Sequence, residues 1–268
     1  MSGILKGSLG EVSIDLNPEG SSSTGSDELN HKKRLTKKAQ ETQRRILECA
    51  LELFREKGFD KTSMREIADA AKVAVGASYY YFRTKEDLVL AYYEDACSQD
   101  TEFVQDLVVK VSGFKERFAT FLRYKLAQLS ENRGFMNIIA RSAANPEDPL
   151  SPFGPQTKHI RDDAVKLMAL MVDGSDLKCS EKFVPYLSGV LWLQMMGTIF
   201  LWIHDRSKDQ YVSDKVIDFS VNLVKQLLWL SSMPLTGPIN DIAIKLFDLV
   251  LESQKHSVAE SVETNSLN

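Results

Sequence analysis

The sequence predicts an all-α protein, with an N-terminal three-helix helix-turn-helix head on a larger helical body. Apolar residues recur at the 3.6-residue period along most of the stretch between residues 41 and 251, and strand-like alternation is absent. Two helix-start boxes, Ser63 with Glu66 and Thr84 with Asp87, flank a short segment with room for one further helix. A run of four prolines within residues 146–155 marks a loop where the body's helical pattern breaks.

Residues 1–36 read as a disordered arm: SIDLNPEGSSSTGSDELNHKKR has neither the charged start nor the apolar core of a signal peptide. Helix 1 is expected from about Glu41 to Lys57, where Ile46, Leu47, Ala50, Leu51 and Phe54 form one stripe and Gly58 follows as a helix terminator. Helix 2 opens at Ser63, whose hydroxyl and Glu66 each take an orphan N–H. Helix 3 begins near Ala74, about three residues after helix 2, as a helix-turn-helix requires. A fourth helix opens at Thr84, so the head is placed at residues 37–84 and the body at 85–252, with a disordered tail from 253 to 268.

A recognition helix lies in the major groove with its N-terminal residues at the base edges. Here those residues are Ala74, Val75, Gly76 and Ala77, small enough for close backbone approach. Tyr79 and Tyr80 carry hydroxyls that reach flanking phosphates, Ser63 stands at the helix 2 terminus, and Lys85 joins a cation to the free N–H groups of the next helix. The plain structural alternative makes Tyr79 and Phe82 core residues. Charge favours the polyanion. From Lys32 to Lys85 there are 14 Lys/Arg against 7 Asp/Glu, in a chain whose net charge is −4. Lys32, Lys33, Arg34, Lys37 and Lys38 close the arm beside the head, as a solvated tail or a minor-groove contact.

On these residues the chain resembles the tetracycline-repressor (TetR) family of bacterial regulators. The resemblance runs through Phe54, Gly58-Phe59, Thr62-Ser63, Ile67-Ala68, Ala71-Lys72-Val73, Tyr79, Tyr81-Phe82, Thr84-Lys85 and Leu88. Two positions depart from the family pattern. Lys72 stands where Gly is common, which removes a residue that adopts positive φ freely, and Ala74 stands where Ser or Thr is common. The resemblance implies a dimeric DNA-binding regulator, most often a repressor, whose last two long body helices pair with their copies as a four-helix bundle.

In the body, Phe114, Phe118, Phe121, Leu122, Lys125 and Leu129 share a stripe, and a short helix is expected at about Gly134–Ala144. Ile160, Ala164, Leu167, Met168 and Met171 mark the next helix. Long helices are expected at about Ser180–His204 and Ser213–Ser231, and a last one at Ile239–Leu251 after Pro234 and Pro238. Phe183–Ile203 has 21 residues without a charge, the length of a membrane span. Pro185, Gly189, Gln194 and Gly197, with no basic flank on one side, favour a helix buried on all sides in a cytoplasmic protein instead.

The expected partners are double-stranded DNA, a second copy of the chain, and a small apolar or amphipathic effector. Met168, Trp192, Met196, Phe200 and Trp202 are candidate pocket residues, with Arg141, His159 or His204 as polar handles, though helix-spaced Met and aromatics are more often plain core. An enzyme is the rival class, on His159, Arg161, Asp162 and Asp163 and on His204-Asp205-Arg206. No nucleophile motif or phosphate loop accompanies them, so no catalytic residue is assigned. A third reading is an architectural DNA binder without a ligand. Cys49, Cys97 and Cys179 lie far apart without metal spacing, which suits buried free thiols in a reducing compartment. No metal or other cofactor is expected.

Overall fold

The computed structural model describes residues 36–246 and 249, and within them it is helical throughout with no strand. The expected arm up to residue 35 and tail from 253 lie outside the described residues, as do Lys32, Lys33 and Arg34.

Helix α1 (Lys37–Lys57) starts four residues before the expected point, because Thr36 Oγ1 accepts the Ala39 N–H at 3.3 Å and caps it. Gly58 ends it at φ +85°. Helix α2 (Met64–Ala70) carries the expected capping box, and α3 (Val75–Tyr81) follows a four-residue turn. Ile46, Ala50, Phe54, Ile67, Phe82 and Leu88 are buried together, so the apolar stripes of α1 and α2 meet the first turn of α4 in a core that continues into the body. Helix α4 (Lys85–Lys110) is continuous from head to body, and its start is fixed by reciprocal bonds between Thr84 and Asp87.

The body is built from α4, α5 (Phe114–Leu129), α7 (Lys158–Val172), α8 (Val184–His204) and α9 (Tyr211–Ser231). Helix α7 lies against both α4 and α8, and α9 lies against α5 and α8. The short α6 (Asn137–Ser142) falls inside the expected Gly134–Ala144 range, its flanks being turns. A 3-10 turn at Glu181–Phe183 precedes α8, and α9 starts two residues earlier than expected, after left-handed Asp209 and Gln210. The last helical stretch begins at 237, not 239, because Pro238 sits in its first turn, where a missing N–H costs nothing. Its expected end at Leu251 lies outside the described residues.

The long apolar segment Glu181–His204 is the one membrane-length helix among the described residues, and an 18-residue stretch of it has mean hydropathy 1.4. Leu187, Leu191, Trp192, Met195, Ile199, Trp202 and Ile203 are buried against its neighbours. On its opposite side Leu193, Phe200 and Leu201 are exposed.

Arg117 holds the body's far end. Its side chain is 4% exposed and donates to the Val108 and Val111 carbonyls of α4's last turn and to the Met171 and Asp173 carbonyls of α7's last turn, at 3.0, 2.5, 3.2 and 2.7 Å. One cation therefore meets the negative ends of two helices. Arg117→Met is expected to strip these buried carbonyls of their donor and destabilise the fold by about 3–5 kcal/mol, read as a fall in the denaturation midpoint. An unchanged midpoint would refute the clamp.

Candidate nucleic-acid interface and body cavity

The turn before α3 is made by Ala71 and Lys72, with Val73 N–H returning to the Ala68 carbonyl at 3.0 Å. Lys72 takes φ +53°, the left-handed conformation that glycine adopts without strain. Ala74 is the N-cap of α3 and offers no side-chain cap, leaving the helix's first N–H groups free. Ser78 is wholly buried and donates to the Val75 carbonyl at 2.8 Å, which turns the opposite face outward. Ala74 and Gly76 are exposed, Val75 and Ala77 half-buried, and the space over Gly76 is open to 4 Å. Tyr79 and Tyr80 are 48% and 75% exposed, whereas Phe82 is core. Tyr79 is thus not the core residue of the plain alternative.

Two candidates are already engaged within the head. Ser63 Oγ donates to Glu66 Oε2 at 2.9 Å and accepts the Glu66 N–H, so its hydroxyl serves the capping box. Lys57, bonded to the Glu66 carboxylate, and the Ser63 contacts hold that carboxyl down to about 2. Lys85 Nζ donates to the Phe59 carbonyl at 2.7 Å and stands 4.5 Å from the centre of the Phe59 ring. It fastens α4 to the α1–α2 corner with one of its three protons. Four further cations stand on the head's surface. Lys61, Arg65, Lys72 and Arg83 are exposed and make no salt bridge among the described residues. Lys72 and Arg83 bracket α3 in sequence, a signal that was readable.

A cavity of about 100 Å³ lies among α4, α5, α7 and α8. Of the expected pocket residues it takes Trp192 and Met196. Met168 and Trp202 are solid core and Phe200 is half exposed at the surface, so these three do not line it. None of the expected polar handles reaches it either. Arg141 pairs with Asp60, His159 Nε2 lies 2.9 Å from Glu94 Oε1, and His204 Nδ1 lies 2.8 Å from the Phe200 carbonyl. Its polar groups are instead Tyr93, Asp100, Lys125 and Arg161, together with Thr157 and Cys97. Asp100 and Lys125 form a buried ion pair at 2.6 Å, with desolvation raising the Asp100 pKa against the pull of Lys125. Burial pushes the Cys97 thiol up to about 11, and all three cysteines are free and half-buried.

The groups of the enzyme reading are occupied elsewhere. Arg161 donates to the Pro152 and Gly154 carbonyls, Asp162 and Asp163 pair with Lys158 and Lys166, and Asp205 accepts from Ser207 and Ser213 at the start of α9. No group of three or more His, Cys, Asp or Glu with metal-binding arrangement occurs among the described residues.

The head and body are joined by side chains. Arg55 of α1 donates to Asn132 Oδ1 at 3.3 Å, and Asn132 Nδ2 donates to the Tyr92 hydroxyl at 3.2 Å. Phe135 packs on both Phe54 and Tyr92, with ring centres 5.8 Å apart in each case. Tyr92 and Leu129 also line the cavity. The cavity wall and the head therefore share neighbours.

Comparison with known proteins follows this division. Residues 46–92 match the model of bacterial regulatory proteins of the tetR family, and residues 117–245 match a tetracyclin repressor-like C-terminal domain. The chain is 40% identical over 95 residues to the uncharacterized HTH-type transcriptional regulator YuxN of Bacillus subtilis, covering 34% of this chain and 30% of that protein. It is 38% identical over 81 residues to the HTH-type transcriptional regulator AcrR of Shigella flexneri, covering 30% and 38%. These alignments span about a third of the curated relatives' length. A TetR transcriptional regulator from Nitrosomonas europaea shares the fold at 16% identity, with TM-score 0.52 over 68% of this chain and 97% of that one.

The strain at Lys72 gives a direct test. Lys72→Gly is expected to raise the denaturation midpoint, by relief of about 1 kcal/mol, while Lys72→Ala, equally strained, does not raise it. Equal effects of the two substitutions would dismiss the strain.

Proposed function

The chain belongs to the tetracycline-repressor family of bacterial regulatory proteins, and from that premise we propose that it is a dimeric, cytoplasmic repressor that holds palindromic operator DNA and releases it when a small apolar or amphipathic molecule occupies the body cavity. The observation that carries the DNA half is α3 itself. Its N-terminal turn is exposed, small and uncapped, and it is followed on the same short helix by two exposed tyrosines. Ala74, Val75, Gly76 and Ala77 approach the base edges, and Tyr79, Tyr80 and the free first-turn N–H groups of α3 meet phosphates. Ser63 stands at the α2 terminus, where its exposed edge faces a phosphate beside the capping box. Lys85 keeps two protons for a phosphate while its third holds Phe59. No long polar side chain stands at the base-facing positions, so recognition leans on thymine methyls and DNA shape.

Dimerisation is supported by apolar side chains that the protomer leaves in water. Phe219, Leu223, Leu227 and Leu230 form a helical stripe on α9, exposed by 73%, 55%, 55% and 44%. Leu193, Phe200 and Leu201 continue the apolar surface on α8. A patch of this kind marks an interface. It also explains how α8 is apolar all round: one side meets the body core and the other a second copy.

Release follows by population shift. Palindromic DNA requires the two recognition helices to stand about 34–36 Å apart. A ligand that fits the cavity of a differently spaced form stabilises that form. The contacts of Tyr92, Asn132 and Phe135 with Arg55 and Phe54 supply a material route for that change. The relatives' names place them among transcriptional regulators rather than enzymes.

Two measurements test this reading. DNA from upstream of the protein's own coding region is expected to bind with an affinity that falls steeply as salt rises, since each neutralised phosphate releases counterion. Lys85→Met is expected to weaken cognate and random DNA alike; unchanged affinity removes Lys85 from the interface. Leu227→Glu is expected to place an unpaired charge in the interface and convert the dimer to monomer in sedimentation. A wild-type chain that sediments as a folded monomer at micromolar concentration overturns the dimer.

A further inference from the structure

Two polar groups on the cavity wall have no partner, and both belong to one face of α4. Tyr93, Cys97 and Asp100 follow at i, i+4 and i+7, so the outer two are separated along the axis by roughly 10 Å. Asp100 is 3% exposed; its Oδ2 accepts from Lys125, but its Oδ1 has no hydrogen-bond partner. The Tyr93 hydroxyl is fully enclosed and also unpartnered. The other polar groups are engaged within the fold: Lys125 donates again to Gln128, Arg161 donates to two carbonyls, and Thr157 Oγ1 donates to Ser151. Between these points the wall is apolar, with Ala96, Leu129, Ile139, Trp192, Met195 and Ile199.

Resting on the ligand-released regulator read from the same cavity, we propose that the effector is an uncharged, elongated apolar molecule of the phenol or alcohol class, with a hydroxyl donor for Asp100 Oδ1 and a second oxygen at its far end for the Tyr93 hydroxyl. The polarity of each point sets the choice. A carboxylate oxygen only accepts, so the ligand must bring a proton to Asp100. A phenol hydroxyl donates well, so an oxygen suits Tyr93. Charge narrows the class further. Asp100 and Lys125 cancel, the remaining wall charge, Arg161, is half-buried and already donates to two carbonyls, and a neutral ligand adds no further charge. A fatty-acid carboxylate would set a second anion beside an unpaired carboxylate oxygen, and an organic cation would leave a net charge among apolar walls.

The probe is para,para′-biphenol, rigid and apolar with a hydroxyl at each end, titrated calorimetrically into the full chain. Its dimethyl ether and decanoate are the comparison ligands. Biphenol is expected to bind, the ether about tenfold more weakly for want of a donor, and decanoate more weakly still. Tyr93→Phe is expected to lower biphenol affinity by about 5–10-fold while the ligand-free midpoint holds or rises, since only an unpartnered hydroxyl is lost. A purely structural tyrosine would show the reverse. Asp100→Asn paired with Lys125→Met removes the acceptor without stranding a buried cation and is expected to abolish the preference for biphenol over its ether. Equal binding of biphenol and ether, tighter binding of decanoate, no binding of biphenol, or an unaffected Tyr93→Phe would each overturn the ligand class. Decanoate that releases DNA would do so while leaving the regulator standing; biphenol that binds without changing DNA affinity would retain the ligand class and overturn its role as effector.

Discussion

Arg117 is the interaction on which the body's geometry depends. Helices α4 and α7 line the cavity along residues 92–100 and 160–164 and run on past it to ends whose last carbonyls have no partner within their own helices. A guanidinium has five donors in a fixed plane, and here it answers both helix ends from the first turn of α5. Because the donors are coplanar, the two ends are fixed relative to each other as well as satisfied. Phe114 and Phe118, on either side in sequence, are wholly buried and seat the clamp. At the C-terminus of α8, Arg133 does similar work: it donates to the Trp202 carbonyl at 2.6 Å and lies over the Trp202 ring. The body is thus an apolar bundle whose helix ends are gathered by two arginines.

Polar pairs in this fold divide by position. On the surface, Arg123 with Asp214 and Asp218, and Lys225 with Asp176, tie α5 and the α7–α8 loop to α9 in high dielectric, where each contact contributes little. In the interior, Lys125 and Asp100 are enclosed, and such a pair owes its place less to stability than to what it offers a neighbour. The unpaired oxygen of Asp100 and the enclosed hydroxyl of Tyr93 are costs carried by the folded chain.

The head was legible in the sequence almost residue by residue. Both capping boxes, the glycine terminator and the turn position of Lys72 are local signals, each set by side chains within three or four residues, and the structure reproduces them. Helix ends without such signals were misplaced: the Thr36 cap, the left-handed Gln210 start of α9 and Pro238 in a first turn all depend on geometry that spacing does not express. The cavity was the least legible part. Met168, Trp202 and Trp192 have the same apolar character and helical spacing, yet only Trp192 faces open space, because what decides is the rotation of α7 and α8 against α4. Lys125 shares the apolar stripe of Phe114, Phe118 and Phe121, but nothing local announces that Asp100, 25 residues earlier, will meet it in the interior. Lys85 is a different case: it donates to the Phe59 carbonyl 26 residues earlier, a contact that no local spacing expresses.

The continuity of α4 has a mechanical consequence. Its 26 residues make a rod about 39 Å long, with the far end pinned by Arg117 and the near end inside the head's core. A rod held at one end is a lever. A molecule wedged against its middle, at the face of Tyr93 and Asp100, need tilt it by only about 3° to carry the near end roughly 2 Å sideways, and in the proposed dimer a dyad would double that displacement. Amplitude in this design comes from length, so the cavity can stay small and its walls can stay nearly rigid.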